Sequence, residues 1–196
     1  ARARAVELLD LVGIPAAERR VDEYTFQLSG GMRQRAMIAM AMMNKPQMLI
    51  ADEPTTALDV TIQAEILRLI RRLQAETGMA VLYITHNLGV IANLADDVAV
   101  MYRGKLVEFG SVRQVFKNPK HPYTVALLRS IPSFTGHRRE KLASIPGTVG
   151  IPIEPPDECP FSNRCDHFIP GTCDASMPEH VEIEPGHRVA CYLYEA

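Results

Sequence analysis

Apolar positions along the first half of the chain alternate between helical spacing and short continuous runs. Val6, Leu8, Leu9 and Val12 recur at helical spacing, and Gly13 ends that helix. Ser29 suits a helix N-cap, which predicts a helix from about Gly31 to Asn44, before Pro46. Its apolar run Ala36–Met43 reads as buried helix. Gln47–Ala51 is too short and too continuously apolar for a surface helix and reads as a buried parallel strand. Asp59 stands where an N-cap belongs, Ile62, Ile66, Leu69, Ile70 and Leu73 form one apolar face, and Gly78 closes that helix. Met79–Thr85 is a second buried strand and Asn87–Ala95 is helical. Val98–Tyr102 and Lys105–Phe109 pair across Arg103-Gly104 as a hairpin, and a helix follows near Tyr123–Ser130. This alternation predicts an α/β layered domain with a mostly parallel sheet over residues 1–130.

The rhythm then breaks. Pro132, Pro146, Gly147, Gly150, Pro152, Pro155 and Pro156 predict an irregular linker over 131–158. Residues 159–196 read as a small loop-rich module holding all four cysteines. With 196 residues the chain has room for one or two domains, and 47% hydrophobic with 22% charged residues is ordinary for a globular protein. A formal net charge of -2 gives no basic footprint for nucleic acid. No apolar run reaches the roughly 18 residues of a membrane span. The opening Ala-Arg-Ala-Arg turns at once into a helix, so no signal peptide is expected, and the missing initiator Met fits a fragment. Any membrane association is therefore expected to come through partner subunits.

Three places carry candidate chemistry. Asp52 and Glu53 end the first strand, where α/β sheets present their ligand chemistry. An Asp there can hold Mg²⁺, and the adjacent Glu, facing the other way, can polarise an attacking water. Ser29-Gly30-Gly31 opens a helix, where free N–H groups and the helix dipole favour an anion and glycine lets backbone approach it. His86 closes the second strand on the same edge, and its neutral imidazole can hydrogen-bond a γ-phosphate and the attacking water. Taken singly, each has an ordinary structural reading: an acidic turn, a cap, a strand-end histidine.

The order decides among them. Leu28-Ser29-Gly30-Gly31-Met32-Arg33-Gln34, then Asp52-Glu53-Pro54, Ala57-Leu58-Asp59 and His86 closely resemble the nucleotide-binding domain of ABC transporters across residues 1–130. The resemblance implies a truncated P-loop NTPase domain. Ser29, Gly30, Gly31 and Gln34 would contact ATP bound mainly by an opposing subunit, and Asp59 would cross the dimer interface. Asp52 would be the Mg²⁺ carboxylate, Glu53 the catalytic base and His86 the switch histidine. Asn87 departs from the Asp often found after that histidine. No Gly-x-x-x-x-Gly-Lys-[Ser/Thr] phosphate loop occurs in the sequence, and the family's Gln loop is also missing.

Asn118-Pro119-Lys120-His121-Pro122-Tyr123-Thr124, Ile145-Pro146-Gly147 and the four cysteines narrow the branch. They resemble the C-terminal extension of ATP-binding subunits of bacterial dipeptide and oligopeptide importers and their nickel-importing relatives. Cys159, Cys165, Cys173 and Cys191 are separated by 5, 7 and 17 residues. Zinc sites usually show tight Cys-x-x-Cys knuckles, absent here, and disulfides belong to oxidising compartments. Iron–sulfur ligation tolerates irregular spacing. The resemblance also favours a 4Fe-4S cluster, with zinc as the alternative. His121 and Tyr123 read as packing and turn residues between Pro119 and Pro122, while His167, His180 and His187 lie near the cysteines.

The implied protein is a subunit that energises import of di- or oligopeptides by ATP hydrolysis. It would pair head-to-tail with a second ATPase subunit on two transmembrane permease subunits, served by an extracytoplasmic peptide-binding protein, at the cytoplasmic face of the inner membrane. Alternatives are an importer of nickel or another small solute in the same subfamily, or a non-catalytic regulatory or metal-binding fragment. A chromosome- or nucleic-acid-directed ATPase would need coiled-coil or zinc-finger insertions that this sequence lacks. Residues 1–196 alone are expected neither to bind ATP tightly nor to hydrolyse it, because the lysine and backbone cradle that hold the phosphates are not in the sequence. Calorimetric titration with ATP checks this: no saturable heat is expected, and micromolar affinity contradicts it.

Overall fold

A computed structural model of the chain describes residues 1–56, 58–131, 145–148 and 157–195. Ala57 and most of the predicted 131–158 linker therefore lie outside the described residues. The chain divides into two units, Ala1–Leu94 and Ala95–Ala196.

In the first unit, helix α1 (Arg2–Leu11) runs to a turn in which Gly13 takes φ +77°. A short α2 (Ala17–Arg20) leads to α3 (Gly30–Ala41), whose N-cap Ser29 accepts a hydrogen bond through Oγ from Met32 N at 3.3 Å. Strand β1 (Met48–Asp52), helix α4 (Val60–Thr77), strand β2 (Ala80–Ile84) and helix α5 (Leu88–Leu94) follow. Gly78 closes α4 in the left-handed region at φ +71°, a conformation that glycine adopts without Cβ strain. β1 and β2 pair in parallel, from Met48 opposite Ala80 to Asp52 opposite Ile84.

The apolar stripe of α4 anchors this unit. Ile66, Leu69, Ile70 and Leu73 pack with Leu8, Val12, Ile14, Ile38, Ala39, Met42 and Leu49. Each fully buried Leu or Ile contributes about 1.5–3 kcal/mol of transfer free energy. Arg35 fastens three pieces together: Nη1 donates to Val12 O at 2.6 Å and Nη2 to Glu65 Oε2 at 2.9 Å.

Two expectations need correction. The strands were expected to be buried on both sides, yet only the face carrying Leu49 and Ala51 is covered. Met48, Ile50, Leu82 and Ile84 are 53%, 62%, 44% and 46% exposed. Likewise Met37 and Met40 point outward from α3, so the Ala36–Met43 run is only half buried. An apolar run fixes what a face prefers, while its cover depends on residues elsewhere, and none among the described residues packs on this one.

The second unit is antiparallel. β3 (Asp97–Tyr102) and β4 (Lys105–Ser111) form the expected hairpin, with Arg103 and Gly104 at φ +47° and +80°, the two left-handed positions of a type I′ turn. Ser111 and Gln114 form a capping box that starts α6 (Val112–Lys117), and Pro122 opens α7 (Pro122–Arg129). β5 (His180–Glu184) and β6 (His187–Ala190) make a second hairpin that joins the first, giving the order β3-β4-β6-β5. Among the described residues, parallel pairing is thus confined to β1 and β2. The cysteine region, expected to be loop-rich, contributes half of a sheet.

A buried carboxylate ties this unit together. Glu108 on β4 is fully buried and accepts hydrogen bonds from Lys120 N (2.8 Å), His121 N (2.9 Å) and His187 Nε2 (2.8 Å). His121 in turn accepts from Tyr123 N through Nδ1 at 3.0 Å, and burial pushes its pKa down to about 4, partly opposed by the nearby Glu108 charge. Replacing Glu108 by Ala leaves two buried donors and one half-buried donor without an acceptor. At about 1–3 kcal/mol each, Glu108→Ala is expected to destabilise the unit by about 3 kcal/mol or more. Urea unfolding followed by circular dichroism measures it, and a loss below about 1 kcal/mol would contradict the network.

Candidate functional site

Parallel pairing of β1 with β2 brings two strand ends to one edge. Glu53 N donates to Ile84 O at 2.8 Å, extending the ladder one residue past Asp52. Across that edge His86 Nδ1 meets Glu53 Oε1 at 2.7 Å, and His86 N donates to the same oxygen at 3.2 Å. Thr56 Oγ1 donates to Glu53 Oε2 at 2.9 Å. The His86 side-chain bond, followed by the Thr56 bond, holds the Glu53 carboxyl below the usual carboxylate range. Glu53 is therefore an ionised acceptor, so Nδ1 of His86 carries the proton of that contact. This refines the expected role of the histidine. Neutral His86 keeps Nε2 as an acceptor for a water O–H, and donation to a phosphate oxygen requires the imidazolium.

Asp52 is exposed on the open face of β1, and Glu53 turns away from it with φ +44°, a left-handed backbone unusual for a glutamate. Strand alternation does not extend to Glu53, which lies past the end of β1 in a left-handed conformation. Asp59 does precede α4, but its side chain makes no capping bond and is exposed, free to reach outward. Ser29 and Gly30 are exposed at the start of α3, and Gln34 follows one turn on, half-buried. Because Ser29 Oγ accepts from Met32 N, its own hydroxyl proton remains available to donate. Asn87 caps α5, its Oδ1 accepting from Gly89 N and Val90 N at 3.1 and 3.3 Å, work that an Asp carboxylate would do equally.

Gly31 has a structural reason that sequence reasoning missed. A Cβ built there would stand 2.8 Å from Ile62 Cγ2, so the glycine lets α3 lie close against α4. The contact with Thr56 was also missed, since two adjacent threonines carry no signal of which one turns back.

The four cysteines line one pocket together with His121, Phe161 and His167, and none is in a disulfide. Burial pushes the Cys159 and Cys165 thiols up, and Cys191 to about 11. Mutual proximity adds to each of these shifts. Every sulfur also faces a backbone N–H: Phe161 and Ser162 at Cys159, His167 at Cys165, Leu193 at Cys191, and Ile169 at Cys173 at 3.5 Å. At Cys159, Cys165 and Cys191 these donors oppose the upward shift only in part, and burial keeps the thiols protonated. Among the described residues no three His, Cys, Asp or Glu side chains are placed to hold a single metal ion. The cysteines are therefore not drawn in to the spacing of tetrahedral zinc, with bonds of about 2.3 Å.

Between Cys159 and Cys165, two side chains grip their surroundings. Phe161 packs against Tyr102, Tyr123 and His121. Arg164 donates to Tyr102 Oη (3.0 Å), Pro146 O (2.7 Å), Ile145 O (3.0 Å) and Gly147 O (3.2 Å).

Two family models match the chain: "ABC transporter" over residues 1–56 and "Oligopeptide/dipeptide transporter, C-terminal region" over 107–173. The oligopeptide transport ATP-binding protein OppD of Bacillus subtilis is 53% identical over 193 residues, 98% of this chain and 54% of that protein. The dipeptide transport ATP-binding protein DppD of Escherichia coli is 47% identical over 191 residues, 97% of this chain and 58% of that protein. The chain thus spans little more than half the length of these relatives. Among solved structures, cbiO1 of Clostridium perfringens, part of the ABC transporter complex cbiONQ, is 32% identical with a TM-score of 0.53, covering 60% of this chain and 45% of that one. An ATP-binding cassette in its ADP conformation shares the fold at 24% identity and a TM-score of 0.53, covering 64% of this chain and 48% of that one.

Close packing at Gly31 is directly testable. Gly31→Ala should lower stability by about 1–3 kcal/mol despite alanine's better helix propensity. Ile62→Ala should absorb most of that loss in a double-mutant cycle, whereas strict additivity of the two changes would contradict the contact.

Proposed function

The chain belongs to the ABC transporter family, in the branch of peptide-import ATP-binding subunits, and from that premise we propose that it forms the hydrolytic half of an ATP site energising uptake of di- or oligopeptides. The carrying observation is the contact of Glu53 with His86, two residues 33 positions apart whose pairing makes sense around a hydrolytic water. In this reading Asp52 holds the Mg²⁺ of bound nucleotide, Glu53 accepts the proton of the attacking water, and His86 orients that water. Ser29, Gly30, Gly31 and Gln34 reach the nucleotide held by a second ATPase subunit arranged head-to-tail, and Asp59 lies along that interface. The exposure of Ser29, Gly30 and Asp59 supports such a role.

No helix among the described residues is long and apolar enough to cross a membrane. We therefore assign membrane coupling to two permease subunits, with a peptide-binding protein delivering cargo on the far side. The ATPase sits on the cytoplasmic face. The open face of Met48, Ile50, Leu82 and Ile84 is best covered by the part of the nucleotide-binding domain that the longer relatives possess beyond the matched region. Cys159, Cys165, Cys173 and Cys191 are the ligands of a 4Fe-4S cluster in this proposal. When bound, such a cluster supplies a redox-active, structure-organising centre. The chain's part is to bury three thiols and half-bury that of Cys165, give each sulfur a backbone N–H, and anchor the loop between Cys159 and Cys165 through buried Phe161 and through Arg164.

Two measurements test this. The full-length subunit assembled with its permease partners should show peptide-stimulated ATPase activity that Glu53→Gln lowers by about 100-fold or more; undiminished turnover would overturn the assignment of the base. Anaerobically purified protein should show visible sulfur-to-iron charge-transfer absorbance that Cys165→Ala removes. Colourless protein with stoichiometric zinc would replace the cluster by zinc.

A further inference from the structure

We propose that Thr56 is a positioning residue for the Glu53 carboxylate, holding Oε2 while His86 holds Oε1, so that one acceptor position on Oε2 is left facing water. This rests on the reading of Glu53 as the base, but the contact itself is testable without it.

The geometry starts in the backbone. Glu53 leaves β1 at φ +44°, and Pro54 follows, its ring fixing the next φ near the value a tight turn needs. Thr56 N then donates back to Glu53 O at 3.2 Å, closing a four-residue turn. Closure brings the Thr56 hydroxyl onto the glutamate side chain, where Oγ1 donates to Oε2 at 2.9 Å. One residue therefore grips Glu53 twice, once through the main chain and once through the side chain.

An ionised carboxylate offers about four lone-pair positions. His86 N and Nδ1 take two on Oε1, and Thr56 Oγ1 takes one on Oε2. One position on Oε2 remains. A base held this way cannot rotate its oxygens freely, and a water arriving from solvent meets a single vacant acceptor. Orientation of this kind contributes to rate without any contact between Thr56 and the reacting atoms. His86, on the segment after β2, is the titratable group facing Glu53, and Asp52 precedes it on its own strand.

The substitution series is Thr56→Val, which keeps the shape and removes the hydroxyl, and Thr56→Ser, which restores it. In the 1–196 chain, the Glu53 ¹³Cδ shift is followed by NMR at one fixed, neutral pH. Loss of the Thr56 hydroxyl donor should move that shift in Thr56→Val, and Thr56→Ser should return it to the unmodified value. A shift unmoved by Thr56→Val would overturn the contact. In the assembled full-length subunit, Thr56→Val should reduce kcat about 10-fold with the KM for ATP unchanged, and Thr56→Ser should recover it. Unchanged kcat in Thr56→Val would overturn the positioning role. Failure of the base assignment itself shows separately, as undiminished turnover in Glu53→Gln, while the Glu53 ¹³Cδ shift still reports whether Thr56 holds the carboxylate.

Discussion

Parallel pairing of β1 with β2 in one register is the constraint on which the candidate site depends. Asp52 opposite Ile84 sets Glu53 beside the segment that carries His86, and a slip of one residue would turn both strand ends to opposite faces. The register is itself fixed by burial. Leu49 packs into the core built on α4 and Ala51 is buried on the same face, so β1 cannot shift without exposing them. The chain of cause therefore runs from an apolar stripe on one helix, through the face of a strand, to a carboxylate–imidazole contact of 2.7 Å.

Local devices then refine what the register only approximates. Glu53 accepts a left-handed backbone that costs of order 1–3 kcal/mol elsewhere in proteins, and the turn through Pro54 to Thr56 holds it there. Gly31 brings α3 close to α4, which sets the exposed Ser29-Gly30 pair near the start of the helix that Asp59 opens. In the second unit a fully buried glutamate does the equivalent work. Glu108 joins β4, the start of α7 and β6 through three hydrogen bonds, so the strands that flank the cysteine pocket are tied to the His-Pro-Tyr segment.

Much of this was legible in the sequence because it rests on local rules. Helix stripes, the Ser29 cap, the Gly78 stop and the Arg103-Gly104 turn each need particular residue types at fixed spacing, and they occur where expected. The motif residues could be named because their order is dense over some sixty positions. What escaped depends on distance in the chain. His187 meets Glu108 across 79 residues and β6 completes a sheet begun near residue 97, pairings that no local window contains. The exposed face of β1 and β2 escaped for a different reason: an apolar run looks the same whether one side is covered or both. Helix α6 did leave a signal, the Ser111-x-x-Gln114 capping box, in a stretch too short for periodicity to register.

The candidate site depends on the state of one imidazole. In ¹⁵N-labelled protein, the ring nitrogens of His86 report both the tautomer and the partner of each nitrogen. Neutral His86 is predicted to carry its proton on Nδ1, with a shift that moves when Glu53 is replaced by Gln. A ring protonated on Nε2, indifferent to the residue at position 53, would contradict it.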